Sequence, residues 1–470
     1  MNFWHPRLSS AHSAPLYRQL VQAMAADIEG GRLAPGARLP AQRDLAHALS
    51  VSVGAVTRAY EEAARQGLVD AHVGRGTFVA DRSVAEASPD GPIDLGINTA
   101  PVALSGVTVA GHFPSPRHGQ AWRERFGYLP PCGLDVDRRA AAAWLARTAG
   151  LEDLDWRRIV CCNGAQGGMA LAFAALCRPG DAILCEAATF SGVKVLAAQL
   201  GCRLVGVDMD AEGIRPDALD RAAASSGARV LYALPTLQNP TARTAGRDRR
   251  AEIVRIARAR DLWIVEDDVY ALYARELGLP ALAALAPERT FHASSLSKTL
   301  SPGLRAGFLV APADMFDRTV QAVRALTHSP PGIGAAIATH WIESGLADDM
   351  AREVCVEVRE RTAMAHAALG PVLETPRSRP SLHLWLPMAE LDAERVAGRA
   401  LRAGLKITPP GTHAVGSGPV GAEPGGSGPG VSGLRLCIGS APSRAILARA
   451  LAILKEAMAG EVGDHGHASL

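Results

Sequence analysis

Lys298 lies in the stretch FHASSLSKTLSPGLRAGFLVA, among residue types that an aldehyde cofactor would require. An imine needs an amine that can shed its proton, and a phosphate needs hydroxyls and a guanidinium fork. Ser295, Ser297 and Arg305 bring those groups close in sequence. Lysine occurs at only four positions, 194, 298, 406 and 455, whereas lysine and arginine together number 49. Where charge alone is wanted this chain uses arginine, so a lysine inside a motif points to amine chemistry that a permanently protonated guanidinium cannot perform. A lone loop lysine beside a helix end would carry no such meaning, so the other segments must decide.

WIVEDDVYALY ends an apolar run in carboxylates, with Tyr270 three residues after Asp267. An acid there can pair with a protonated pyridine nitrogen, or simply be solvated at a strand end. LPTLQNPTAR sets Asn239 before a proline, where its amide can donate to a phenolic oxygen or merely shape a turn. VCCNGAQGGMALAFAAL reads as strand, Gly-rich turn and apolar helix, which aims the backbone N–H groups of Ala165 and Gln166 at an anion. Phe190, in ATFSGVKVL, can stack on an aromatic ring or fill core.

The elements that must position these residues are legible as short apolar runs: 183–186, 203–207, 230–235, 263–268, 291–295 and 307–311. Helical stretches such as AAAAWLARTAG and AEIVRIARARD lie between runs, so the expected class is α/β with a mainly parallel sheet buried on both faces. Residues 93–470 read as this body, a large part at about 150–330 and a smaller α+β part at about 340–460. The polar stretch 81–92 reads as a linker, and the Gly/Pro/Ser-rich 409–432 as an inserted loop. Composition, 48% hydrophobic and 20% charged with net charge +2, is that of a globular protein with no chain-wide basic field. Eight cysteines without a CxxC pair argue for a reducing compartment and no structural metal. The start MNFWHPRLSS lacks a signal-peptide pattern and no apolar run is long enough to span a bilayer, which points to the cytoplasm.

Residues 1–80 follow a different pattern. Leu16, Leu20, Met24 and Ile28 form one apolar stripe of a helix. A short helix (about 42–49), a turn at 50–52 and a second helix (about 53–66) then have helix-turn-helix spacing. The residues facing a DNA groove would be Ser52, Gly54, Thr57 and Arg58. LVDAHVGRGTFVA reads as a hairpin with Arg75 at its tip, able to reach phosphates or a narrow minor groove. The net charge over 15–80 is only +1, so affinity must come from placement and from two heads acting together.

The stretch 15–80 resembles the winged helix-turn-helix of GntR-type regulators through Leu33, Pro35, Gly36, Leu39, Pro40, Arg43, Leu45, Ala46, Thr57, Ala59, Tyr60, Gly74, Gly76, Thr77, Phe78 and Val79. That resemblance implies a phosphate contact for Arg43. Ala41 stands where the family usually has Ser, and Gly54 where a longer polar side chain is common. The ordered set Phe190, Asn239, Asp267, Tyr270, Lys298, Arg305, Arg435 resembles fold-type I aminotransferases. It implies pyridoxal 5'-phosphate (PLP) bound as a Schiff base to Lys298, which also carries the proton in transamination. Asp267 would pair with the ring nitrogen, Asn239 and Tyr270 would hold the phenolic oxygen, and Phe190 would stack on the ring. Ala165, Gln166, Ser295 and Arg305 would hold the phosphate, with Tyr128 reaching across from a second subunit, while Arg435 would grip a substrate carboxylate. Ala242 departs from the usual N-P-T-G. Head and body together resemble the MocR family, implying a domain-swapped homodimer that binds a double-stranded DNA operator and senses PLP or a small amino compound. The alternative is a working class I/II aminotransferase with an accessory head.

Overall fold

The computed structural model describes residues 4–6, 15–29, 32–34, 36–65, 68–72, 76–80, 91–101, 124–416 and 431–460. The described residues before position 90 form one compact unit, and those after it form another.

In the first unit, α1 (Leu16–Glu29) buries Leu20 and Met24 from its apolar stripe. Helix α2 (Gln42–Ala48) starts without a side-chain cap because Ala41 has no oxygen to offer. At α3 (Val53–Arg65) Ser52 fills that role, its Oγ accepting the Ala55 N–H at 3.2 Å. The Tyr60 hydroxyl donates to the Pro40 carbonyl at 2.9 Å and ties α3 to the segment before α2. Strands β1 (Val69–His72) and β2 (Gly76–Val79) pair antiparallel, and Arg38 bridges to Phe78 to extend the wing. Pro35, Gly74 and Arg75 lie outside the described residues, as do 81–90 of the expected linker.

The second unit opens with the short β3 (Ile93–Asp94) and is built on a seven-stranded sheet. Its strands are β4 (Ile159–Asn163), β5 (Ala182–Glu186), β6 (Arg203–Val207), β9 (Val230–Ala233), β10 (Trp263–Asp267), β11 (Thr290–Ser295) and β12 (Ala306–Val310), with β7 (Met209–Asp210) and β8 (Gly213–Ile214) forming a side hairpin. The order is β4-β12-β11-β10-β9-β5-β6. All run one way except β12, which is antiparallel to both β11 and β4. A parallel return needs a crossover of a dozen or more residues, and the connection 296–305 is too short for one. The central strands β5, β9 and β10 are almost wholly buried and rich in Ile, Val, Leu and Ala, as a sheet covered on both faces requires, while the edge strand β6 starts at the exposed Arg203.

A C-terminal layer pairs β13 (Leu384–Pro387) with β15 (Gly433–Leu436), and β14 (Leu405–Lys406) with β3. Ile93, Leu95, Leu384, Leu405, Leu434 and Leu447 share one apolar cluster, so the segment that opens the body is stitched into the layer that closes it. Among the described residues no helix is long and apolar enough to cross a membrane.

Candidate functional site

The C-terminal ends of the parallel strands surround a cavity of about 570 Å³ of open space. Ten of the residues singled out in the sequence line it: Ala165 and Gln166, Phe190, Asn239, Asp267 and Tyr270, Ser295 and Ser297, Lys298 and Arg305. They arrive on separate strand ends and turns, the usual position for a ligand in an open α/β sheet.

Lys298 closes the single-turn helix Leu296–Lys298 that follows β11. Its Nζ donates to the Asn98 carbonyl. Burial holds its pKa below the ordinary lysine value, and the positive charges of Arg435 and Arg305 add to that against Cys437 and Asp267. The result is an amine disposed to give up its proton.

Asp267 is 3% exposed at the end of β10. Its Oδ2 accepts from the Tyr232 hydroxyl at 2.9 Å, and Oδ1 has no partner among the described residues. Burial pushes its pKa up to about 6, with the Tyr232 hydrogen bond opposing the shift. The Ser295 hydroxyl accepts from the Ser297 N–H at 3.3 Å and so caps the turn, while Ser297 Oγ is buried without a partner. Both hydroxyls keep a donor for a ligand, Ser295 because it only accepts in this contact and Ser297 because its Oγ is unpaired.

Close approach of two glycines shapes the anion cup. Gly164, at φ +66°, begins the helix Gly164–Leu176, and a Cβ there would come within 2.7 Å of the Arg305 guanidinium. A Cβ on Gly307 would meet the Gly164 backbone at 2.4 Å. Arg305 itself takes the left-handed conformation, φ 51°, and its guanidinium donates to the Asn163 side chain and carbonyl at 3.0 and 3.1 Å. The charge thus rests beside the helix N-terminus, where first-turn N–H groups lack intrahelical partners. Gly192 makes room for the Phe190 ring, since a Cβ at 192 would sit 2.3 Å from it.

Arg435 on β15 is 6% exposed and adjoins this cavity through Asn239. Its other terminal nitrogen donates to the Gly96 carbonyl at 2.6 Å and to Thr408 Oγ1 at 3.1 Å, leaving Nε buried and unpaired. Among the described residues it forms no ion pair. Ala242, the departure from N-P-T-G, adopts φ 57° and donates its N–H to the Gln238 carbonyl. The loop keeps a glycine-like shape at the expense of strain. Tyr128 is 87% exposed against the His328 ring, outside the cavity of its own chain.

Three contributors escaped the sequence reading. Asn98 Nδ2 lies 2.9 Å from the Tyr270 hydroxyl and 2.9 Å from His383 Nδ1. His383, held neutral by burial that lowers its pKa to about 3, contacts the Gln238 carbonyl through Nε2 at 3.0 Å. Asn98 thus holds Tyr270, and Tyr232 holds Asp267.

In the first unit, Arg43, Ser52, Gly54 and Arg58 are exposed. Arg58 lies over the Tyr17 ring at 4.4 Å, and the half-buried Thr57 donates to Gln42 Oε1 at 2.8 Å. Thr57 thereby braces α3 against α2.

Residues 93–366 match the family described as aminotransferase class I and II, and residues 16–79 match the bacterial regulatory proteins of the gntR family. The chain is 31% identical over 316 residues to the uncharacterized HTH-type transcriptional regulator YdeF of Bacillus subtilis, covering 66% of this chain and 67% of that protein. It is 28% identical over 376 residues to the pyridoxine biosynthesis transcriptional regulator PdxR of Corynebacterium glutamicum, covering 76% and 79%. The α-aminoadipate aminotransferase LysN of Thermus thermophilus shares the fold, with TM-score 0.68 and 24% identity over 79% of this chain and 92% of its own. The chain belongs to the class I and II aminotransferase family and, through its GntR-type head, to the MocR-type transcription regulators. PLP is the cofactor of that family, and the cavity fits it: an unpartnered buried carboxylate oxygen, a free hydroxyl, an arginine at a helix N-terminus and a buried amine face one space.

Proposed function

We propose that this protein is a cytoplasmic regulator in which occupancy of the Lys298 cavity by PLP, alone or with an amino compound, sets the affinity of a homodimer for double-stranded operator DNA. Bound PLP supplies an aldehyde that captures amines and a ring that draws electrons from them. Lys298 holds it and moves the proton. Asp267 would pair with the ring nitrogen, and Asn239 and Tyr270 would hold the phenolic oxygen. Phe190 covers the ring. Ser297 and Ser295, Arg305 and the first-turn N–H groups of Ala165 and Gln166 take the phosphate. In a domain-swapped dimer Tyr128 reaches the cavity of the second copy. In the head, Ser52, Gly54, Thr57 and Arg58 face the groove, and Arg43 and Arg75 take backbone phosphates.

The observation that carries this reading is the joining of a GntR-type head to a cavity where a buried amine sits beside an unpartnered buried carboxylate oxygen. A ligand shifts DNA affinity only through differential binding to two states. The test is operator binding, measured with the region upstream of the protein's own gene, for PLP-free protein, PLP-loaded protein and PLP-loaded protein with single amino acids. Operator affinity that is the same in all three sinks the proposal. Arg435, a buried cation without an acid partner, favours a second reading in which amino acids are also turned over. Following absorbance through single and repeated turnovers distinguishes sensing from catalysis.

A further inference from the structure

Asp267 and Asp268 are consecutive at the end of β10, where successive side chains point to opposite faces. Asp267 lines the Lys298 cavity, while Asp268 lines a separate one of about 920 Å³ of open space. The end of the helix Asp135–Ala149 and the segment 271–281 wall this second cavity.

Two groups there are out of balance. Asp268 is 3% exposed, and its Oδ1 has no partner among the described residues. Arg147, also in the wall, spends Nε on Asp348 at 3.1 Å and leaves Nη2 buried and unpaired. Arg250 contributes mainly charge. Its guanidinium gives four of its five N–H groups to the carbonyls of Ala245, Pro280 and Pro235 and to Thr236 Oγ1, and none of them to Asp268. The charges have neighbours, Asp348 beside Arg147 and His292 Nε2 at 3.9 Å from Asp268 Oδ2, but the buried atoms Asp268 Oδ1 and Arg147 Nη2 still lack hydrogen-bond partners, which is costly unless a ligand completes them. An anion would satisfy the guanidinium and be repelled by Asp268, and a simple amine would do the reverse. A molecule carrying both charges satisfies both groups.

We propose that this second cavity binds a free α-amino acid, its ammonium on Asp268 and its carboxylate on Arg147. The ligand's positive charge then lies one residue from Asp267, so an amino acid is sensed from behind the sheet without entering the Lys298 cavity.

The experiment closes the front cavity first, by reducing bound PLP onto full-length protein with borohydride, and then titrates L-alanine calorimetrically. The expected result is binding to one site per chain, with ethylamine and propionate each weaker by about tenfold or more. Binding should shift the fluorescence of the reduced cofactor, because Asp267 and Asp268 are adjacent. Asp268→Asn and Arg147→Gln should each abolish the L-alanine heat while circular dichroism and PLP uptake persist. If Asp268→Asn does not fold, Arg147→Gln carries the test. Absence of L-alanine binding at millimolar concentration marks a cavity filled only by water and overturns the proposal. Binding that survives the substitutions, or equal affinity for ethylamine or propionate, also overturns it. Failure to load PLP would count against the front-cavity reading instead, and L-alanine titration of the unreduced Lys298→Ala protein would still examine the rear site.

Discussion

Arg435 Nη1 donates to Asn239 Oδ1 at 2.8 Å, so the side chain proposed to grip a carboxylate also holds the amide proposed to meet the cofactor's phenolic oxygen. The unpaired Nε and the second N–H of Nη1 remain for an arriving carboxylate, on the same guanidinium that Asn239, Gly96 and Thr408 hold in place. Replacing Arg435 with Leu should weaken binding of carboxylated effectors by about 2–4 kcal/mol, the scale for removing one partner of a buried charge pair. Decarboxylated amines should bind nearly as before. Titrating both ligand types into wild type and variant, read by absorbance, checks this. Unchanged amino-acid affinity would show that Arg435 does not contact the effector.

Borohydride reduction of PLP-loaded protein should place the label on Lys298 alone. Lys194 already donates to three carbonyls, at Gly411, Thr412 and Ala414, and Lys406 pairs with Asp94 at the surface. Peptide mass spectrometry locates the adduct, and a label on 194, 406 or 455 refutes the assignment.

The acid at 267 predicts a pH signature. Its folded pKa, about 6, is raised above the ordinary 3.8, so the folded state holds the proton more tightly than the unfolded state. The group therefore favours the fold below about pH 3.8, loses that contribution between 3.8 and about 6, and costs a constant amount above. The gap between those two values sets the cost at about 3 kcal/mol at most. In PLP-free protein Asp267→Asn should raise the melting temperature at pH 8 and lose that advantage toward pH 4, while PLP affinity falls. Denaturation scans across pH, with and without PLP, measure both effects. A variant less stable than wild type at pH 8 would contradict the account.

Gly164→Ala should cost about 1–3 kcal/mol of stability, since φ +66° and the guanidinium 2.7 Å away both oppose a side chain. PLP affinity should fall with it as Arg305 is displaced. Pyridoxal without its phosphate should lose little, and an equal loss for both compounds would place the defect elsewhere.

A fragment ending near Ala80 should keep its own core, which packs Leu20, Met24, Leu45, Val56 and Tyr60, yet bind operator far more weakly than the whole chain. Small net charge and a glycine at position 54 leave one head few contacts. Equal affinity for fragment and full-length protein, by fluorescence anisotropy, would defeat this.

The residues legible in sequence were those carried in motifs whose neighbours share their purpose. Lys298 is flanked by Ser295, Ser297 and Arg305, and Asp267 by an apolar strand. Asn98, Tyr232 and His383 gave no such signal: each sits in an ordinary apolar or polar stretch and acquires meaning only when β9, β10 and the C-terminal layer bring it to its partner. The apolar run 307–311 announced a strand but not its direction, because periodicity is blind to orientation and only the short connection decides it. Likewise the departure at Ala242 was visible, whereas the backbone's acceptance of a left-handed alanine was not.

The reversed strand β12 has an evolutionary consequence. Ser295 is held opposite Gly307 and Gly307 opposite Cys162, so the segment 296–305, with Lys298 near one end and Arg305 at the other, is clamped by sheet register on both sides. A single inserted or deleted residue in it would shift β12 by one position and turn every side chain of that strand to the wrong face. Residue identities in this segment are free to drift as far as chemistry allows, but its length is not. Descendants of this chain that lost the cofactor would therefore still carry a loop of this span, a fossil of the vanished amine site kept by the geometry of the sheet.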